Sequence, residues 1–113
     1  MHELSIVQSI VDIAIDEMVK SGARAIEKIE LEIGTQAGVE FHALDFAWDV
    51  GVRNTPLQDA QKVIHKVQAT ARCSQCNHVF PVDEPFPSCP LCREVLVQVM
   101  QGKELKVKSL VLI

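Results

Sequence analysis

This chain of 113 residues has no surplus of positive charge. Eleven Lys and Arg stand against fifteen Asp and Glu, a formal net charge of −4. A nucleic-acid interface needs a basic patch or stripe to meet phosphates. Here the lysines are scattered, and the one local group, Lys103, Lys106 and Lys108, reads as the solvated side of a strand. No apolar run approaches the roughly 20 residues of a membrane-spanning helix. No secretory signal precedes the mature-looking start, so the expectation is a soluble, cytoplasmic protein in reducing surroundings. No low-complexity tract, nucleophile motif or His-rich catalytic set is present, and an enzyme is not expected. What the chain does have is apolar content, 48%. That is enough for a core and too much for disorder. The length supports one compact domain plus a small appendage.

Cysteine is absent everywhere except in two short runs, Cys73-Ser-Gln-Cys76 and Cys89-Pro-Leu-Cys92, with twelve residues between them. Two residues between cysteines let one tight turn aim both sulfurs at one ion, and the doubled pair completes a tetrahedron. Structural disulfides need an oxidising compartment. A redox Cys-x-x-Cys normally comes singly beside a βαβ pattern. The spacing therefore predicts a zinc site of Cys73, Cys76, Cys89 and Cys92. Four thiolates leave no open position for water or substrate, so the ion is structural.

The apolar periodicity gives the elements. Leu4, Val7, Ile10, Val11, Ala14 and Met18 recur at helical spacing over 4–20, with Ile6, Ile13 and Ile15 widening the stripe, and Ser21-Gly22 ends it. Residues 27–33 alternate as a half-buried strand, with Ile29, Leu31 and Ile33 on one face. A second helix runs from about Glu40 to Val52, with Phe41, Leu44 and Trp48 on one stripe and Ala43, Phe46, Ala47 and Val50 beside it. Residues 62–71 alternate with Val63, Val67, Ala69 and Ala71 in one phase. Val95, Val97 and Val99 form a short strand out of the cysteine segment, and residues 104–113 form the last. The fold class is α/β (α+β): two helices on a three-stranded sheet, with a small four-cysteine zinc-ribbon lobe inserted before the last strand. The expected domains are 1–71 plus 103–113, and 72–102.

The opening Met1-His2-Glu3 is a second candidate site. The terminal amine of Met1 and the amide and imidazole of His2 can chelate one metal through fused rings. Such a planar nitrogen set suits Ni(II) or Cu(II). Glu3 can add its amide nitrogen or its carboxylate. The plain alternative is a solvated, idle terminal histidine.

Taken together, Met1-His2-Glu3-Leu4-Ser5, Leu31-Glu32-Ile33-Gly34, Gly38-Val39-Glu40, the two cysteine knuckles and Gly102-Lys103-Glu104-Leu105 through Leu110 resemble the HypA/HybF family of hydrogenase maturation factors. The resemblance runs from the first residue to the last strand. It implies a nickel metallochaperone that helps deliver nickel to the large subunit of nickel–iron hydrogenase, working with a partner GTPase, and in some organisms serving urease. It implies nickel at Met1, His2 and Glu3, an acidic contributor at Glu40, and zinc at the four cysteines. Nickel is then cargo and zinc a resident cofactor. The expected assembly state is a monomer or weak homodimer, with no nucleic-acid or membrane partner. Arg93-Glu94 departs from the Gly-Ser or His-Ser that many members place after the last cysteine, which leaves that turn undefined by the likeness. His78 matches a position where some members carry a histidine, and a surface histidine is its plain reading. Glu40 replaces an aspartate of some relatives. Its plain role is to complement the dipole of the second helix. His42 reads as solvated, His65 as a satisfied, partly buried histidine, and Trp48 as core. The competing function is a zinc-ribbon interaction module binding nucleic acid or a protein complex.

Overall fold

A computed structural model describes residues 2–113, so Met1 lies outside the described residues. The elements run α1 (Glu3–Ser21), β1 (Ile26–Gly34), α2 (Phe41–Gly51), β2 (Gln61–Val67), β3 (Thr70–Cys73), β4 (Val79–Pro81), β5 (Val97–Gln101) and β6 (Leu105–Leu112). They form two three-stranded sheets, ordered β2-β1-β6 and β4-β3-β5. The chain divides into two compact units. The first holds residues up to Leu31, Val39–His65 and Lys106–Ile113; the second holds Glu32–Gly38 and Lys66–Leu105.

In the first unit, α1 turns one stripe inward: Val7, Ile10, Val11 and Ala14 are buried. Of the residues expected to widen the stripe, Ile6 and Ile15 are half-buried but Ile13 is 49% exposed, and Leu4 of the main stripe is exposed as well. Gly22 ends the helix in the left-handed conformation at φ 71°, and the Ala23 N–H returns to the Met18 carbonyl. Only glycine adopts that geometry without a Cβ penalty. Helix α2 buries Leu44, Ala47 and Trp48. Phe46 departs from its expected place beside them and is 74% exposed, with Val50 also exposed. Ile26, Ile29 and Leu31 of β1 complete this core. Complete burial of one such side chain as Leu44 stabilises by about 2 kcal/mol.

Strand β6 runs antiparallel to β1. Ala25 and Ile113 exchange both backbone hydrogen bonds, at 3.0 and 3.1 Å. The polar side of this sheet carries one linked group: Glu30 of β1 accepts from Ser109 of β6 at 2.6 Å and pairs with His65 of β2 at 2.8 Å. That satisfies His65, as its position in the strand suggests. It also corrects the phase of β2. Val63 alternates with His65 on the Glu30 side, whereas Lys62 of the other phase reaches α2, bonding Asp45 at 3.1 Å and lying 5.3 Å from the Trp48 ring centroid.

The single strand expected over 62–71 is two strands, broken at Gln68-Ala69, and only the later one, β3, lies wholly in the second unit. Ala69 turns its backbone elsewhere: its N–H donates to Thr35 Oγ1 at 2.9 Å and its carbonyl accepts from Val82 at 2.9 Å. Strand β3 then pairs antiparallel with both β4 and β5. Strand β4, among the prolines, has no counterpart in the sequence reading. Ala69, Ala71, Phe80 and Val82 pack with Cys73 and Cys89 in a core of their own. The second unit thus runs from Lys66 to Leu105 and takes in Glu32–Gly38, where the sequence reading has a zinc lobe of 72–102. Two glycines close the unit where the chain passes tightly over itself. A Cβ on Gly34 would overlap the Gly102 carbonyl, and a Cβ on Gly102, at φ 111°, would overlap Ala69.

Candidate metal centre

The four cysteines lie together in the second unit, as their spacing predicts, with all four sulfurs within 4.8 Å of one another. Cys73 Sγ stands 3.5 Å from Cys92 Sγ, and Cys76 Sγ stands 3.6 Å from Cys89 Sγ. A tetrahedron with zinc–sulfur legs of about 2.3 Å has edges of about 3.8 Å. The donor set and its spacing therefore fit a structural zinc ion. It is the only such cluster of His, Cys, Asp or Glu side chains among the described residues.

The two knuckles are built alike. In the first, the Cys73 N–H donates to the His78 carbonyl at 2.9 Å and the Asn77 N–H returns to the Cys73 carbonyl at 3.0 Å. In the second, the Cys89 N–H donates to the Glu94 carbonyl at 2.9 Å and the Arg93 N–H returns to the Cys89 carbonyl at 2.8 Å. Both turns place a non-glycine residue in the left-handed region, Asn77 at φ 64° and Arg93 at φ 64°. The turn after Cys92 is thus the same turn as the one after Cys76, made here with Arg93. Sequence reasoning missed this pair. The signal was the departure from glycine at position 93.

The knuckles also tune the sulfurs. Cys73 accepts backbone N–H groups from Cys76 and Gln75, at 3.4 and 3.3 Å, and these hold its thiol below the ordinary range. Burial opposes ionisation of Cys89, but the N–H groups of Cys92 and Leu91 outweigh it and bring the thiol down to about 7. For Cys92 a backbone bond from Glu94 favours the thiolate, yet the neighbouring Cys73 sulfur overrides it and pushes the thiol up to about 12. Cys76 is raised too: a backbone bond from His78 favours its thiolate, but burial, and then the Cys89 and Cys73 sulfurs, outweigh it. Four sulfurs this close cannot all ionise unless a cation neutralises them. A bound dication makes thiolates of all four. His78 is outside the sulfur cluster and stacks on Phe80, with ring centroids 6.0 Å apart.

The second candidate group lies in the first unit. His2 is the N-cap of α1; its carbonyl accepts from Ile6 at 3.2 Å, and its exposed imidazole makes no capping bond. Glu3 is the first helical residue. Its Oε2 accepts the backbone N–H of Glu40 at 3.3 Å. Glu40 in turn is the N-cap of α2: its Oε1 accepts from His42 at 3.1 Å and its Oε2 from Ala43 at 2.6 Å. Those two bonds, Ala43 first, hold the Glu40 carboxyl below the usual carboxylate range. His42 stays exposed in the first turn. The structure therefore brings Glu3 and Glu40 together, with His2 next in chain to Glu3. The expected contribution of Met1 concerns a residue outside those described.

The family model for hydrogenase/urease nickel incorporation, metallochaperone, hypA matches residues 1–112. The hydrogenase maturation factor HypA of Parabacteroides distasonis is 41% identical over 112 residues, 99% of this chain and 97% of that protein. The HypA of Geotalea daltonii is 39% identical over the whole of both chains. Among solved structures, the solution structure of the Ni metallochaperone HypA from Helicobacter pylori matches with a TM-score of 0.68 and 25% identity, covering 99% of this chain and 97% of that one. The chain belongs to the HypA family of hydrogenase and urease nickel-incorporation metallochaperones.

Proposed function

We propose that this protein carries Ni(II) at its amino terminus, through the Met1 amine, the His2 amide and imidazole, and Glu3, with Glu40 beside it. It gives the ion up to the hydrogenase maturation machinery. The observation that carries this reading is the state of His2: an exposed imidazole with no capping duty, at the first turn of α1. The amide N–H groups of His2 and Glu3 have no carbonyl four residues before them to donate to, so binding those nitrogens to metal costs the helix no hydrogen bond. A terminus is also suited to release, since its ligands can be peeled away one at a time while a recipient's groups replace them. The work is transfer rather than catalysis. Zinc, closed in by four sulfurs, stays. In keeping with the family, the recipients are a partner GTPase and the large subunit of nickel–iron hydrogenase, in the cytoplasm.

Isothermal titration of zinc-loaded protein with Ni(II) tests the site. His2→Ala, or one extra residue before Met1, should abolish stoichiometric nickel binding and leave zinc content unchanged. Binding should weaken as pH falls, because the amine and imidazole take up protons. Full nickel stoichiometry in His2→Ala would sink the amino-terminal site.

A further inference from the structure

The Glu40 carboxylate can meet nickel or cap α2, and the geometry favours the second. We infer that Glu40 is a positioning residue of the nickel site rather than a nickel ligand: its carboxylate secures the start of α2, and its backbone N–H secures Glu3. The inference rests on the amino-terminal reading above and names a role for a residue beside that site.

Both carboxylate oxygens of Glu40 are committed, at 3.1 Å to the His42 N–H and at 2.6 Å to the Ala43 N–H. Coordination of nickel would draw the carboxylate away from these bonds, which cap the first turn of α2. The same cap holds the Glu40 backbone extended, at φ −90° and ψ 114°. In that conformation its own N–H points out of the helix and meets Glu3 Oε2 at 3.3 Å. Glu3 is one peptide bond from His2. A contact made by its side chain therefore fixes the first turn of α1, on which the chelating amide and imidazole of His2 are carried. A fixed first turn lowers the cost of gathering the nitrogen donors around one ion, which is the general benefit of preorganisation.

The test combines Ni(II) titration with the nickel absorption spectrum, on full-length zinc-loaded protein with a native amino terminus. Glu40→Asn keeps a capping oxygen without the charge; Glu40→Ala removes the cap. The ligand-field spectrum should be the same in both variants and in the parent. Nickel affinity should change by less than about twofold in Glu40→Asn and fall by about fivefold in Glu40→Ala, the scale of one lost N-cap. In a Glu3→Ala background, Glu40→Ala should have no further effect on nickel affinity, because the link it supports is already gone. A changed spectrum in Glu40→Asn makes Glu40 a ligand and overturns the inference. So does a Glu40→Ala loss that persists undiminished in the Glu3→Ala background, or an unaltered affinity in Glu40→Ala alone. His2→Ala is the control that separates the two readings. If it abolishes binding and the Glu40 results go the wrong way, only the positioning role fails. If it binds nickel as the parent does, the terminus fails and the positioning role falls with it.

Discussion

Arg93 sits in a backbone conformation that glycine holds more cheaply, and this gives a sharp prediction about zinc. An L-residue in the left-handed region costs about 1–2 kcal/mol relative to the right-handed one. Arg93 is there at φ 64°, with its N–H fixed to the Cys89 carbonyl at 2.8 Å. Its side chain is exposed, so truncating it removes little packing. Arg93→Gly relieves the strain but gains unfolded-state freedom, which returns about 0.5–1 kcal/mol. The net gain should be about 0.5–1 kcal/mol. Metal binding and folding of this segment are one equilibrium, so the gain should appear as zinc affinity about two- to fivefold tighter. Arg93→Val places a β-branched residue where it is a true outlier, and should bind zinc about fivefold or more weakly. Asn77 occupies the equivalent place in the first knuckle, but asparagine tolerates it, so Asn77→Gly should gain less than about twofold. Competition with a zinc chelator at fixed pH, with protein spectra as the readout, measures all three. If Arg93→Gly bound zinc no better than the parent while Arg93→Val bound it equally well, the strain argument would be refuted.

Removal of zinc, by a strong chelator or by Cys73→Ser, should unfold β3, β4 and β5 and leave the helices of the first unit intact; amide hydrogen exchange resolved by segment checks this. Gly34→Ala should destabilise the second unit by more than about 2 kcal/mol, because the new methyl meets backbone rather than a movable side chain; thermal melting of the zinc-loaded protein reads it. The Glu30 carboxyl is held down to about 2, first by the Ser109 hydroxyl and then by His65. A carboxyl lowered by folding contributes stability that is fully present above its unfolded value of about 4.3 and is lost as pH falls toward 2. Glu30→Gln should therefore flatten the acid limb of the stability curve between those values and lower stability at neutral pH. An unchanged acid limb would count against the network.

What the sequence displayed best was what depends on near neighbours in the chain. The alternation of Ile29, Leu31 and Ile33 and the stripe of Val7, Ile10, Val11 and Ala14 are local periods, and both are buried as read. The cysteine pairs carry their geometry in their spacing, and the sulfurs meet as expected. What stayed hidden depends on distant partners. Strand β4 is three residues ending in a proline, and it exists because Thr70, Ala71 and Arg72 lie opposite Pro81, Phe80 and Val79. The interruption at Gln68-Ala69 comes from Thr35, far back in the chain. The alternation of 62–71 looks continuous because its period carries across the break. Glu30 draws its partners from strands 35 and 79 positions away, which no local pattern reveals. Phe46 is apolar at a helical position beside the buried stripe, yet the core needs only Leu44, Ala47 and Trp48 from that helix.

The division of the chain into two units also bears on the order in which it is made. Lys66–Leu105 supplies every zinc ligand and all three strands of the second sheet, and Glu32–Gly38 is already present before it. The first unit takes its last strand from Lys106–Ile113. During synthesis the zinc unit therefore has its full complement of chain one strand earlier than the first unit.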